Sequence, residues 1–401
     1  AATSVSDIDQ AIPRLRALGL NTVLVPVYWE LLEPVEDRFD FTLVDHTVKV
    51  CRREGLRVVF LWFGVWKNSM SCYAPGWFKQ DTERFPRAMT AEGKPLEIAS
   101  CFSDQVLQAD VKAFSALMRH ISQLDPRREV VVMVQIENEI GMLESARDHS
   151  PLANKAYVKE RWAERYGTGL YADEQFMALS YARYVEHLAQ AARHIHDVPL
   201  YVNAAMNSRG RRPGEYPSAG PLAHLVDFWQ QGAPSIDLLA PDIYDTGFKQ
   251  WAAQYAMPAR PQDGGKVRNR LFIPESRCCE NSGVRALYAF GEHQALGFSP
   301  FAIDQASPQD TEPLTKAYAL LSQLSAASPE RYVLNPKLCS WGLLFDQEDR
   351  ERVIADGAVT MTCRHYFTLP WDPRATDGSP WPEGGAMLVR LGPFDYLLAG
   401  S

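Results

Sequence analysis

Seven short apolar runs, nearly all continuous rather than alternating, divide this chain, with longer amphipathic stretches between them. They are "NTVLVPVYW" (21–29), "LRVVFLWFGVW" (56–66), the run over 130–136, "PLYVNAAM" (199–206), "SIDLLAPDIY" (235–244), "RLFIPE" (270–275) and "GFSPFAID" (297–304). A strand with one wet face alternates apolar and polar residues, whereas a strand covered by helices on both faces reads as an unbroken hydrophobic run. Helical periodicity fills the gaps, over 8–18 behind a cap at Asp7, then around 41–55, 104–123, 153–166 and 173–196. Shorter helix-like segments lie near 218–231, 248–256, 283–295 and 313–326. Strands alternating with helices predict an α/β chain, and the count fits a (β/α)8 TIM barrel whose first strand lies upstream of residue 1. A doubly wound open sheet is the alternative, but no glycine-rich strand-to-helix turn stands where a nucleotide would bind.

From about residue 338 the texture changes. "LCSWGLLFDQ", "GAVTMTCRHYFTLPW" and "GAMLVRLGPFDYLLAG" read as strands broken by Gly, Pro and Asp turns, with no helical period between them. The expectation is therefore a catalytic barrel over 1–337 followed by a partial β-rich, sandwich-like domain over 338–401. Three strands are too few to close a sandwich, so the chain reads as a fragment of something longer.

In such a barrel the chemistry sits at the C-terminal ends of the strands. The apolar run Val130–Val134 ends in a polar knot of Gln135, Glu137, Asn138 and Glu139. Other strand ends supply Trp29, Glu30 and Glu33; Trp66, Lys67 and Asn68; Asn203; Tyr244 and Asp245; Glu275; and Asp304. Carboxylates, amides and rings converge there while basic residues are few. A formal charge of -8 speaks against a nucleic-acid partner, whose phosphates call for a basic surface. An acidic, aromatic mouth suits a neutral polyol such as a sugar. Ten tryptophans and sixteen tyrosines could line it, although most such rings build cores. Nothing in the chain reads as a membrane span. Seven scattered cysteines without a CxxC pair read as free thiols, Cys72–Cys101 being the one candidate bridge.

With one strand upstream, Glu139 and Glu275 end the fourth and seventh strands, which lie nearly opposite across a barrel mouth. Two carboxyl groups about 5–5.5 Å apart define a retaining glycosidase, one attacking the anomeric carbon while the other protonates the leaving oxygen.

"VQIENEIG" resembles the acid/base motif of glycoside hydrolase family 35 β-galactosidases, in which the second Glu is the acid/base. "VPVYWELLEPVEDRFDF" resembles that family's strand-2 signature, and "APGWFKQDTERFPR" is similar to its stretch after strand 3. "LFIPE" fits the nucleophile strand of the wider retaining clan A, which includes family 42. The resemblance covers about residues 7–305, and the β-rich tail resembles the extra domain of a bacterial subgroup of these enzymes. It implies Glu139 as acid/base, Glu275 as nucleophile and Asn138 as donor to the 2-hydroxyl. It also implies Tyr244 hydrogen-bonded to the nucleophile, with Trp29 and Glu30 in the sugar pocket. Glu30 and Leu32 stand where family 35 has Asn and His, and "VWKNSM" replaces its Cys-Ala-Glu, so the reaction is read more firmly than the sugar.

The combined expectation is a retaining exo-glycosidase acting on terminal β-D-galactosides. Trp66 or Trp62 is the candidate stacking platform, and Lys67, Asn68 and Asn203 are candidate hydroxyl partners. A carbohydrate is the expected partner, with no nucleic acid and no membrane; homo-oligomer formation stays open. Neither a metal nor another cofactor is expected. The rival readings are another β-glycoside (a fucoside, an arabinoside or a xyloglucan galactosyl branch) and a non-catalytic carbohydrate-binding barrel.

Overall fold

The computed structural model describes residues 2–259, 267–327, 338–366 and 368–400. The chain divides into two compact units, Ala1–Arg16 with Asn21–Asp242, and Ala17–Leu20 with Ile243–Ser401.

The first unit opens with α1 (Val5–Ala17). Its cap is Ser4, whose Oγ accepts from the Asp7 N–H at 3.1 Å, so Asp7 lies inside the first turn rather than before it. The parallel strands are β1 (Thr22–Tyr28), β2 (Arg57–Lys67), β5 (Val131–Asn138), β6 (Leu200–Ala204) and β7 (Leu238–Ile243), adjacent in that order. Between β2 and β5 a small antiparallel hairpin, β3 (Arg87–Met89) and β4 (Pro95–Ala99), occupies the stretch expected to be loop. The architecture is α/β, a curled half-barrel of parallel strands with helices between them.

The helices between these strands are α2 (Trp29–Leu32), α3 (Thr42–Glu54), α4 (Gly76–Gln80), α5 (Asp104–Leu124), α6 (Pro151–Lys159), α7 (Trp162–Tyr166), α8 (Leu170–Ile195) and α9 (Val226–Gly232). Each long helix offers one apolar stripe to the sheet. On α5 the stripe is Ala113, Phe114, Leu117, Met118 and Ile121, all fully buried. β2 is buried from Val58 to Trp66 and β7 along its whole length, as expected of strands shielded on both faces. The expected helix over 153–166 breaks into α6 and α7 at Arg161, which takes a left-handed φ of 52°. The expected one over 218–231 is a single 3-10 turn, Ala223–Leu225, leading into α9.

In the second unit the sequence reading is less well matched. "RLFIPE" forms only β8 (Glu275–Ser276), and "GFSPFAID" forms no strand beyond one isolated bridge between Ile273 and Phe298. Pro300 has no N–H to give a ladder, and the chain turns over 301–305 with Ala302 at φ 53°. The helices are α10 (Phe248–Tyr255), α11 (Ser282–His293) and α12 (Pro308–Ala327).

The remaining strands are β9 (Ser340–Phe345), β10 (Glu351–Asp356), β11 (Val359–Arg364), β12 (Gly384–Arg390) and β13 (Tyr396–Gly400). They form an antiparallel sheet in the order β13-β12-β9 and a separate β10–β11 hairpin. The expected boundary at 337/338 adjoins residues 328–337, outside the described residues. On either side of it the chain shares one core, in which Leu287, Ala317 and Leu321 pack with Met387, Val389 and Ala399. All seven cysteines are free, so Cys72 and Cys101 are not bridged. Among the described residues no helix is long and apolar enough to cross a membrane.

Candidate active site

The polar knot that ends β5 points in two directions. Glu137 turns into the protein. Its Oε2 accepts from the Trp66 N–H at 2.7 Å and its Oε1 from the Val65 N–H at 3.3 Å. It also hydrogen-bonds Asp110 of α5, which accepts in addition from Trp62 Nε1 and the Tyr184 hydroxyl, each at 2.8 Å. Burial pushes the Glu137 carboxyl well above its usual range, and the neighbouring Asp110 charge adds to the effect. Asp110 is raised too, first by burial, against which its three hydrogen bonds pull down. Two buried acids in contact cannot both ionise cheaply, so the pair keeps a proton, on Glu137, which donates it to Asp110. Sequence reasoning saw Glu137 only as part of an acidic cluster and missed Asp110, one acid on a helix with nothing to mark it.

Glu139 lies on the other side of that turn, 6% exposed. Its φ is 50°, and Glu137 (57°), Asn68 (52°) and Ser69 (56°) share the left-handed region. Non-glycine residues seldom cluster there, and such strain concentrates at functional sites. Backbone contacts hold it: Asn68 N–H donates to Asn138 O at 3.2 Å, and Ser69 N–H to Glu139 O at 3.1 Å. The Glu139 N–H donates to Asn203 Oδ1 at 3.0 Å, and Asn203 Nδ2 donates to Asp242 Oδ2 at 2.6 Å. Just downstream, Met142 and Ser218 exchange two backbone bonds of 2.8 and 2.9 Å, and the Tyr181 hydroxyl donates to Gly141 O at 3.0 Å. Gly141 has no room for a side chain, because a Cβ there would sit 2.7 Å from Ser69 Oγ.

The other expected site residues of the first unit fall in different places. Asn138 is fully buried beside Glu139. Trp29 is also fully buried, its Nε1 donating to Glu33 Oε2 at 2.8 Å while its ring packs on Trp62, Trp77 and Phe78. Trp66 is fully buried edge-on against Tyr181 and Tyr184, and Trp62 is buried on Asp110. All three rings, expected in the pocket or as a platform, are thus buried against protein side chains. Glu30 is half-buried, with Lys79 Nζ 3.5 Å from its carboxylate. Asn68 is exposed and takes a hydrogen bond from Lys67 Nζ. Both ends of the Asn203 amide are engaged inside the protein. Two half-buried rings, Tyr28 at the end of β1 and Tyr73 in the loop after β2, pack with the buried Phe63, centroids 4.8–5.8 Å apart.

In the second unit Glu275 is 9% exposed and begins β8. The hydroxyl of Tyr244, a residue 39% exposed, donates to Glu275 Oε2 at 2.8 Å. A nearly buried carboxylate held by a phenol can act as an oriented nucleophile or base; a nearly buried carboxyl beside an amide can act as a proton donor.

Residues 3–184 match the family model of glycoside hydrolase family 42, described as Beta-galactosidase, and residues 314–401 match a domain of unknown function. A beta-galactosidase of Thermus thermophilus is 26% identical over 163 residues, 39% of this chain and 23% of that protein. Among solved structures, a beta-galactosidase from Bacillus circulans sp. alkalophilus has a TM-score of 0.59 at 13% identity, over 80% of this chain and 55% of that one. One from the psychrophilic Marinomonas ef1 has a TM-score of 0.57 at 14% identity, over 80% of this chain and 58% of that one. A GH42 beta-galactosidase from G. stearothermophilus has a TM-score of 0.57 at 15% identity, over 79% and 55% of the two chains. The chain thus spans under a quarter of the curated relative and little more than half of each solved structure. In fold, this chain is similar to the β-galactosidase barrels.

Proposed function

We propose that the protein is a retaining exo-β-galactosidase in which Glu275 is the nucleophile and Glu139 the acid/base. Glu275 would attack the anomeric carbon as Glu139 protonates the departing oxygen, leaving a galactosyl ester on Glu275. Glu139, now ionised, would then take a proton from water, which opens the ester with the sugar's configuration kept. Asn138 would donate to the 2-hydroxyl, and Tyr244 would hold the nucleophile's oxygen. The supporting observation is the 2.8 Å bond from Tyr244 to Glu275, a pairing the resemblance implied for two residues 31 positions apart. The family match and the motif "VQIENEIG" support the sugar class; families 35 and 42 share this mechanism. Glu30 and Asn68 remain candidate sugar contacts, and residues 338–401 the opening of a β-rich module.

A 2-deoxy-2-fluorogalactoside with a dinitrophenyl leaving group tests this directly. The expected result is time-dependent inactivation with the label on Glu275 by peptide mass spectrometry, and none in Glu275→Gln. Turnover of a fucoside or arabinoside but not of a galactoside would move the assignment to another sugar. Sugar binding without turnover of any activated glycoside would point to a binding barrel.

A further inference from the structure

We propose that Asp242 is a positioning residue for Glu139, acting through Asn203; this rests on the reading of Glu139 as the acid/base. Asp242 is the one charge in β7, "LLAPDI", a strand buried along its whole length, and is itself 1% exposed. A carboxyl group in such a place needs hydrogen-bonded partners to be tolerated. One partner is Asn203 Nδ2 at 2.6 Å, and this contact decides which way the amide faces. A primary amide has a donor end and an acceptor end. With Nδ2 committed to the carboxylate, Oδ1 must face the Glu139 N–H, which it meets at 3.0 Å. The flipped amide would set an oxygen against Asp242 and two donors against each other at Glu139. Asp242 therefore fixes the amide, and the amide fixes the backbone of a residue in the left-handed region, φ 50°, whose side chain must meet a leaving oxygen.

The test uses the full chain and aryl β-galactosides graded from dinitrophenyl to phenyl, whose departure needs increasing help from an acid. Glu139→Ala sets the reference: a large loss with phenyl, little with dinitrophenyl. Asn203→Ala and Asp242→Ala are expected to follow the same slope, losing about 100-fold in kcat/KM on the phenyl glycoside and only about threefold on the dinitrophenyl one. Asp242→Asn keeps an oxygen acceptor for Asn203 Nδ2 and should restore most of the loss. Equal losses on all leaving groups would mean a merely structural role and overturn the proposal, as would an unaffected Asp242→Ala. Hydrogen exchange of the peptide bearing the Glu139 amide gives a readout independent of turnover. Faster exchange in both alanine variants supports the relay, and unchanged exchange in Asp242→Ala overturns it. A flat leaving-group profile in Glu139→Ala would instead sink the acid/base reading, while the exchange result still decides the relay.

Discussion

At the scale of single residues, the site depends on a proton that takes no part in the proposed reaction. Glu137 would titrate near 4.5 in the unfolded chain and is raised well above that when folded. Its shift is upward, so between those two values the folded state binds a proton that the unfolded state lacks. Stability is full below 4.5 and falls as pH rises towards the raised value. Glu137→Gln imitates the protonated form, its oxygen accepting from Trp66 N–H and its Nε2 donating to Asp110. Melting temperatures of the variant should match or exceed the wild type at about pH 8 and lose that advantage near pH 5. Asp110→Ala strands Trp62 Nε1, the Tyr184 hydroxyl and Glu137 together, and should cost about 3 kcal/mol or more by urea unfolding. Little of this was legible in the sequence. A carboxyl group at a strand end looks the same whether it faces a ligand or a buried partner, and a tryptophan there looks the same as platform or core. Trp29 and Trp66, both at strand ends, are fully buried. Asp242 did leave a signal, a lone charge inside an apolar run, which the strand-end survey passed over because it precedes the end.

At the scale of elements, the apolar runs identified β1, β2, β5, β6 and β7; in β2, β6 and β7 the unbroken run reflects cover on both faces, whereas β1 is buried only at alternate residues. The run over 297–304 forms no strand because the chain turns over 301–305; a proline alone does not prevent one, since Pro26 lies within β1 and Pro241 within β7. The long segment after β6 was equally opaque, since its order comes from side chains far along the chain. Glu174 of α8 accepts from the Tyr216 hydroxyl at 2.9 Å, the Ala219 N–H at 3.3 Å and His224 Nε2 at 2.9 Å. That fastens the segment whose Ser218 pairs with Met142, three residues past Glu139. Glu174→Ala should cost about 2–4 kcal/mol and open 207–215 to limited proteolysis. A variant as resistant and stable as the wild type would show that the segment is held by other means. Within β2, a Cβ on Gly64 would lie 2.2 Å from Trp62 Nε1 and 2.8 Å from Glu137 Oε1. Gly64→Ala must therefore displace the carboxyl pair, and should lower stability by about 1–3 kcal/mol in thermal melts.

At the scale of the whole molecule, the change of texture near residue 338 suggests a domain border, yet the second unit is built across it. The face of α11 that carries Leu287 packs with Met387, Val389 and Ala399 from the strands beyond. Arg285 of α11 makes a forked pair with Glu383 at 2.8 and 2.6 Å, both side chains largely shielded. Glu292, about two turns further along α11, receives Arg352 at 2.7 and 3.0 Å. Helical and strand periodicities differ, so a sequence reading places a boundary where the period changes; the core recognises only which apolar faces need cover. A chain ending at residue 337 would leave that face of α11 and α12 bare and Arg285 without its carboxylate, a loss of several kcal/mol for the shielded pair alone. The 1–337 fragment is expected to bind a hydrophobic dye and melt well below the full chain, if it stays in solution at all. A fragment with the full chain's melting temperature and no dye binding would make the strands after 338 an appended domain, as their composition first suggests. Arg285→Ala in the full chain separates the two contributions, because it removes the ion pair and leaves the apolar cover in place.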